Sequence, residues 1–401
     1  MKNTLSFLLE KEDPKTQARL GKLTLPPVSD KIPDPFILEF SPNAWTKERT
    51  LETPCFMPVG TQASVKGVLT RDLWHTNSRM ILCNTYHLLS RPGSKLIENQ
   101  GGLHRFMNWP GGIITDSGGY QVYSLAKTRK IDDKGVSFQH HIDGKTIRLE
   151  PESVLEAQKQ LGSDIAMVLD ECIDLPKSRD EIAKALERTL KWAKRSKDYQ
   201  QTWRNSKNRP FVFGISQGGT ELDLRKEAMT ALCEMDFDGY ALGGFSVGEP
   251  SEKTYSLVGN CSPLMPKKKP RYLMGVGTPN DLVHYVSKGM DLFDCVLPTR
   301  NARTGQLFTK KGKIVIGHAQ YAQDQAPIEE DCECSTCQHY TRAYLRHLFL
   351  AKEILSSVLN TIHNLTFYQN LMRDIREAIQ KGEFSKFSKK FFELQKMGGS
   401  D

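Results

Sequence analysis

The sequence has no apolar run approaching the ~18 residues that span a bilayer. Its mean hydropathy is −0.47, so a helical membrane protein is excluded. The opening MKNTLSFLLEKEDPK has one Lys before a short apolar patch that Glu10 ends, and no small-residue cleavage site, so an export leader is not expected. Glycine (30) and proline (20) are ordinary in number, which excludes a low-complexity chain. There is no even cysteine framework. The nine cysteines, six of them scattered singly, are expected as reduced thiols in a cytoplasmic protein. No Gly-x-Gly-x-x-Gly turn follows the first apolar run, which argues against an open dinucleotide-binding sheet. No His-x-His lies on that run either, so the ligand set of a barrel zinc hydrolase such as a deaminase is missing.

Among what is present, Lys plus Arg (55) exceeds Asp plus Glu (47) in the 401 residues, leaving +8. This mild basic excess suits a polyanionic partner such as nucleic acid. Eight short apolar runs recur between turn residues: CFMPV (55–59), MILCN (80–84), GIITD (112–116), IAMVLD (165–170), FVFGISQ (211–217), GYALGG (239–244), RYLMGV (271–276) and LFDCVLP (292–298). Their brevity and their Val, Ile and aromatic content predict buried strands. Helical periodicity fills several of the gaps, at 151–162, 180–206, 221–235 and 279–290. Eight buried strands alternating with helices predict an α/β fold, a (β/α)₈ TIM barrel. Most runs end in polar groups or glycines: Asn84, Asp116, Asp170, Gln217, Gly243-Gly244 and Gly275, with Asp294 inside the last. In such barrels that end of the strands carries the active site.

Residues 1–53 predict a hairpin-like β appendage. Leu23 and Leu25 fall on one strand, Phe36, Leu38 and Phe40 on another, and a Pro-rich loop lies between them. The barrel is expected over 54–310, a metal-binding subdomain over 311–375, and a C-terminal helix packing back on the barrel over 376–401. Leu348, Ala351, Leu355, Val358 and Ile362 step by three and four, which predicts one face of a long helix.

Cys332-x-Cys334-x-x-Cys337 puts three soft sulfur ligands within six residues, a pattern that suits a closed, structural Zn²⁺ site. His339, His347 and His363 are candidates for the fourth ligand, and spacing alone does not choose among them. Asp116 with Gly118-Gly119 marks a sharp turn at a strand end, and Tyr120 beside it can stack on a planar ring. Asp170 and Glu171 follow an apolar run, and a carboxylate there can accept the two parallel N–H groups of a guanidine-like edge. Gln217 and the backbone at Gly243 and Gly244 can donate to a carbonyl oxygen, and Glu249 lies close by in sequence. Together these groups describe a pocket for a purine-like base. Asp294, between Phe293 and Cys295, is a carboxylate in apolar surroundings, which is costly without a role. Arg300 and Arg303 follow and suit phosphate contacts.

Taken in order, NTYHL (84–88), SRPG (90–93), GGLHRFMNW (101–109), TDSGGYQV (115–122), LDEC (169–172), YLMGVG (272–277), FDCVLPTR (293–300), the three cysteines and TIHNLTFYQNLM (361–372) resemble the bacterial queuine tRNA-ribosyltransferases, or tRNA-guanine transglycosylases. The resemblance implies a (β/α)₈ barrel with a zinc-binding subdomain. It also implies exchange of guanine at wobble position 34 of GUN-anticodon tRNAs for a 7-deazaguanine. By matching position, Asp294 is implied as nucleophile and Asp116 as general acid/base. Ser117, Asp170, Gln217, Gly243 and Gly244 are implied in base recognition, with Tyr120 and Met274 sandwiching the base. His363 is implied as the fourth zinc ligand. The implied partners are the tRNA anticodon loop, the 7-deazaguanine base and a second copy in a homodimer. A non-catalytic tRNA-binding subunit of the same fold would have lost the two carboxylates that this chain keeps. Three positions depart from the usual pattern: Phe245-Ser246-Val247 after Gly244, Thr278 in place of a basic residue, and a longer 26–53. The first leaves the incoming base open between 7-aminomethyl-7-deazaguanine (preQ1) and queuine.

Overall fold

The computed structural model describes residues 5–28, 43–125, 129–139, 144–203, 209–245 and 250–397. Eight parallel strands close into a barrel: Cys55–Gly60, Met80–Cys83, Gly112–Thr115, Ile165–Met167, Phe211–Ser216, Gly239–Leu242, Arg271–Leu273 and Leu292–Cys295. They are the eight runs read from the sequence, in the same order, and the last pairs with the first through Leu292↔Cys55 to Cys295↔Pro58. Nearly every strand residue is buried. One side of each strand fills the barrel interior and the other meets a ring of helices, which is why the runs are continuously apolar rather than alternating.

The helices of that ring form where the periodicity placed them, at Pro151–Gln160, Arg179–Gln201, Leu222–Glu234 and Pro279–Val286. Ser178 opens the second with a capping box: its Oγ accepts from Glu181 N–H, and the Glu181 carboxylate accepts from Ser178 N–H. Between the third and fourth barrel strands the sequence reading missed a three-stranded antiparallel sheet, Arg129–Asp132, Gly135–Gln139 and Thr146–Leu149. Its first turn is held by Asp132, whose Oδ1 accepts from the backbone of Lys134 and Gly135.

The N-terminal appendage is a three-stranded antiparallel sheet, Ser6–Glu12, Arg19–Leu25 and Arg49–Thr53, rather than a hairpin. The strand expected around Phe36, Leu38 and Phe40 lies outside the described residues. Leu20, Leu23, Leu25 and Leu51 join the barrel core. Two buried ion pairs lock the sheet under the N-terminal ends of the strands. Arg19 Nε lies 3.0 Å from Asp291. Arg49 grips Asp164 with both terminal nitrogens, and Asp164 also accepts from Ile113 N–H at 2.8 Å. Burial opposes the Asp164 charge, but Arg49 and His104 outweigh it and hold the carboxyl well below its ordinary range. Arg49→Ala leaves that carboxylate buried and without its main partner, so we expect a loss of about 3–5 kcal/mol in urea unfolding at neutral pH. Asp164, with its depressed pKa, contributes stability above pH ~4 and loses it in stronger acid, so the difference between variant and wild type should shrink there.

Beyond the barrel come a hairpin, Gln306–Thr309 with Gly312–Val315, and a set of helices. The single long helix expected through residue 351 is two helices, Arg342–Leu350 and Ile354–Lys381. Lys352 sits between them with φ of 58°, a left-handed residue that ends the first helix. Leu348, Val358 and Ile362 pack into one core around the cysteines, whereas Ala351 and Leu355, which carry the apolar rhythm across the break, are exposed. Among the described residues, no helix is long and apolar enough to cross a membrane.

Candidate active site and metal centre

The C-terminal ends of the strands bring the polar residues together. Asp294, on the eighth strand, accepts at Oδ1 from the Tyr272 hydroxyl (2.5 Å) and from Gly275 N–H (2.8 Å). Neither bond uses Oδ2. Burial pushes the Asp294 carboxyl above its ordinary range. Tyr272 is wholly buried, so desolvation keeps its hydroxyl protonated and donating.

Asp116 follows the third strand. It accepts from Asn84 Nδ2 (2.5 Å), Thr85 N–H (2.9 Å) and Gln121 Nε2 (2.9 Å). Burial nevertheless pushes it up to about 6. The three donors lower it, and the negative charge of Asp294 adds to the rise. The charge of Asp294 is thus felt at Asp116.

A second cluster adjoins them. Asp170 accepts from Ser117 Oγ at Oδ1 (3.0 Å) and from Gln217 Nε2 at Oδ2 (2.6 Å). Ser117 Oγ in turn accepts from Gly119 N–H. Gln217 lies flat against the Gly243-Gly244 turn. A Cβ on Gly244 would stand 2.2 Å from Gln217 Oε1, and its φ of +67° also favours glycine. Of the two adjacent carboxylates, Asp170 is the one in this cluster. Glu171 is ion-paired to Arg188, and its N–H donates to Thr189. Tyr120 is half exposed at the start of the helix Gly119–Leu125, and Met274 is partly buried after the seventh strand. Ser246, Val247 and Glu249 lie outside the described residues. Arg300 is exposed on the helix Leu297–Arg303, directly after Asp294, and Arg303 is partly buried with Nη1 on Thr299 O. Thr278, the departure from a basic residue, caps the helix Pro279–Val286. Its Oγ1 accepts from Asp281 N–H and donates to the Asp281 carboxylate.

Tyr272, Gln121 and Arg225 also belong to this site, and the sequence reading did not find them. Tyr272 sits inside an apolar strand, where an aromatic reads as core. Nothing in the spacing around Gln121 or Arg225 marks either side chain for a site.

Apart from the barrel mouth, Cys332, Cys334, Cys337 and His363 form a buried group whose ligand atoms lie within 4.8 Å of one another. His363 Nδ1 is 3.8, 3.8 and 3.3 Å from the three sulfurs. The other ring nitrogen, Nε2, lies 2.9 Å from Phe308 O. A bond there places the proton on Nε2 and leaves the Nδ1 lone pair for an ion. The group can hold a metal. Of the three candidate histidines, His363 is the one that joins the sulfurs, while His339 Nδ1 contacts its own helix at Ser335 O. All nine cysteines are free of disulfides.

Two buried carboxylates at the mouth of a parallel barrel, both raised by burial and set beside the donors and acceptors around Asp170, mark the candidate active site of a barrel enzyme. Comparison with known proteins narrows the class. The family model described as queuine tRNA-ribosyltransferase matches residues 13–397. The queuine tRNA-ribosyltransferase of Thermoanaerobacter pseudethanolicus is 49% identical over 388 residues, covering 97% of each chain. That of Staphylococcus aureus is 49% identical over 348 residues, covering 87% of this chain and 91% of its own. That of Desulforamulus reducens is 45% identical over 390 residues. The chain belongs to the queuine tRNA-ribosyltransferase family. The family's activity is tRNA-guanine transglycosylation, a pentosyl transfer in queuosine modification.

Proposed function

We propose that this chain exchanges guanine at position 34 of GUN-anticodon tRNAs for a 7-deazaguanine by two displacements at one ribose. The observation that carries the mechanism is the pair of buried carboxylates at the barrel mouth, Asp294 and Asp116, with the Asp294 charge raising Asp116. Asp294 attacks C1′ through Oδ2, while Tyr272 and Gly275 hold charge on Oδ1. The C1′–N9 bond breaks and its electrons pass to guanine, which takes a proton from Asp116. A covalent ribosyl ester remains. The incoming base then gives its N9 proton to the Asp116 carboxylate. Its N9 attacks C1′, and Asp294 leaves, restoring the original configuration. Asp170 accepts from the guanidine-like edge of the base, and Gln217 and Gly244 N–H donate to its carbonyl. Ser117 and Gly243 shape that edge, and Tyr120 and Met274 cover the two faces. A single-stranded loop base reaches such a pocket at low unstacking cost, and Arg300 and Arg303 meet its phosphates.

The metal group suits Zn²⁺. With Zn–S about 2.3 Å and Zn–N about 2.0 Å, a tetrahedron puts nitrogen and sulfur about 3.5 Å apart, close to the spacings here. Four protein ligands close the shell, so the ion is structural. We also propose a cytoplasmic homodimer. Tyr344, Leu350, Leu355 and the 82% exposed Ile354 present apolar surface beside the metal centre. Light scattering that finds a 45.4 kDa species alone would refute the dimer.

Incorporation of labelled guanine into an unmodified GUN-anticodon tRNA tests the activity. With preQ1 and queuine as competitors, the better chaser is the physiological base. No incorporation by metal-replete protein would overturn the reading. The pH dependence follows from Asp116. Its proton is needed for the first displacement, so guanine release in a single turnover should slow as pH rises above about 6. A rate that is flat from pH 5 to 8 would remove Asp116 from that role.

A further inference from the structure

The donors facing the base are held from behind by one residue. Arg225, on the helix Leu222–Glu234, is wholly buried. Its Nε donates to Gly219 O (2.9 Å), and its Nη1 to Ser216 O (3.2 Å) and Gly243 O (2.8 Å). Its Nη2 reaches Gly244 O at 3.4 Å. The guanidinium also stacks on the Phe245 ring, 3.9 Å from its centroid. These carbonyls belong to the last residue of the fifth barrel strand and to the turns after the fifth and sixth, the turns that carry Gln217 and Gly244. One planar group with five fixed N–H vectors thus staples the two turns together.

We infer that Arg225 is a positioning residue that aims and strengthens the Gly244 N–H toward the carbonyl of the bound base. The inference rests on the base pocket proposed above. A trans peptide holds its C=O and N–H antiparallel. Arg225 grips the oxygen of the Gly243–Gly244 peptide, so the Gly244 N–H of that peptide points away from Arg225. A cation bonded to the oxygen draws electron density from the peptide nitrogen, which makes its N–H a better donor. The same clamp sets the width between Gln217 and the glycine turn, where a Cβ on Gly243 would already stand 2.8 Å from Gln217 Nε2. Arg225 touches no substrate and acts through the backbone.

The test uses two ligands that differ at the C6 carbonyl and the N1–H that accompanies it. Guanine carries the carbonyl at C6, and 2-aminopurine, which is fluorescent, lacks it. Binding of both to the full-length, metal-replete protein is titrated for wild type, Arg225→Lys and Arg225→Met, with guanine read by displacement. Arg225→Met should weaken guanine binding by about tenfold or more and change 2-aminopurine binding little. Arg225→Lys, which keeps the cation but not the fork, should recover part of the guanine affinity. In base exchange, the KM for guanine should rise. Equal weakening of both ligands, or no weakening of guanine in a folded variant, would overturn the inference. If Arg225→Met does not fold, the same ligand pair measured on Arg225→Lys decides. Failure of wild type to bind guanine would instead defeat the proposed function, so the two failures are distinguishable.

Discussion

Asp294→Asn is expected to fold and to lose base exchange by about a thousandfold or more, because a neutral amide is too weak a nucleophile to form the ribosyl ester. The asparagine side chain has nearly the same shape, and its Oδ1 can still accept from Tyr272 and Gly275, the two groups that hold Asp294. Stability should not fall with activity. Burial raises the carboxyls of both Asp294 and Asp116, so each ionised group opposes folding. A raised pKa means the folded state binds the proton more tightly. For Asp116 the opposition is absent below pH ~4 and fully felt above about 6, and amounts to about 3 kcal/mol. Asp294→Asn carries no charge at its own site. At pH 8 it should melt no lower than wild type, the usual exchange of stability for a reactive site. Urea unfolding of Asp294→Asn beside a single-turnover assay checks both. Retained exchange, or a misfolded variant, would contradict the account.

The second large effect is loss of the metal. Removing it by chelation should unfold the C-terminal region instead of merely lowering the rate. Structural zinc contributes about 10–16 kcal/mol in small domains, as much as a whole domain's typical stability of about 5–15 kcal/mol. Here the loss would spread. His363 lies on the helix Ile354–Lys381, beside Asn364 and one turn and a half before Gln369. The Asn364 amide donates to Pro298 O and Gln306 O and accepts from Phe308 N–H. Gln369 donates to Phe56 O on the first barrel strand. Pro298 follows Asp294 by four residues, so melting of this helix reaches the active site. Metal analysis should find one ion per chain. Far-ultraviolet circular dichroism should show helix loss at a much lower temperature after chelation. A metal-free chain that melts where the holoprotein does would refute the structural role.

The parts of this molecule that could be read in advance are those in which one residue type has one physical meaning. The eight strands are legible because burial on both faces demands short, unbroken apolar runs. The polar strand ends Asn84, Asp116, Asp170 and Gln217 stand out because nothing in a core needs them, and the structure collects them at the barrel mouth. The three cysteines were legible for the same reason. Reading failed where a residue serves two masters. Tyr272 is both core aromatic and hydrogen-bond donor to Asp294, and only the neighbouring strand reveals the second role. Nothing marks Arg225 for a site until the turns it clamps are in place. The break at Lys352 was hidden because the apolar rhythm continues through it. His363 could not be chosen from His339 and His347 by spacing, because the ligand arrives through a helix that folds back over the site.

The covalent step is the centre of the account. Full-length protein mixed with a GUN-anticodon stem–loop RNA, in the absence of free base, is quenched in acid and denatured. Intact mass and peptide mapping then follow. The account predicts release of guanine and a protein–RNA adduct mapped to Asp294, cleared when guanine is added back before the quench and absent from Asp294→Asn. Base exchange proceeding with no adduct, or an adduct on a different residue, would contradict it.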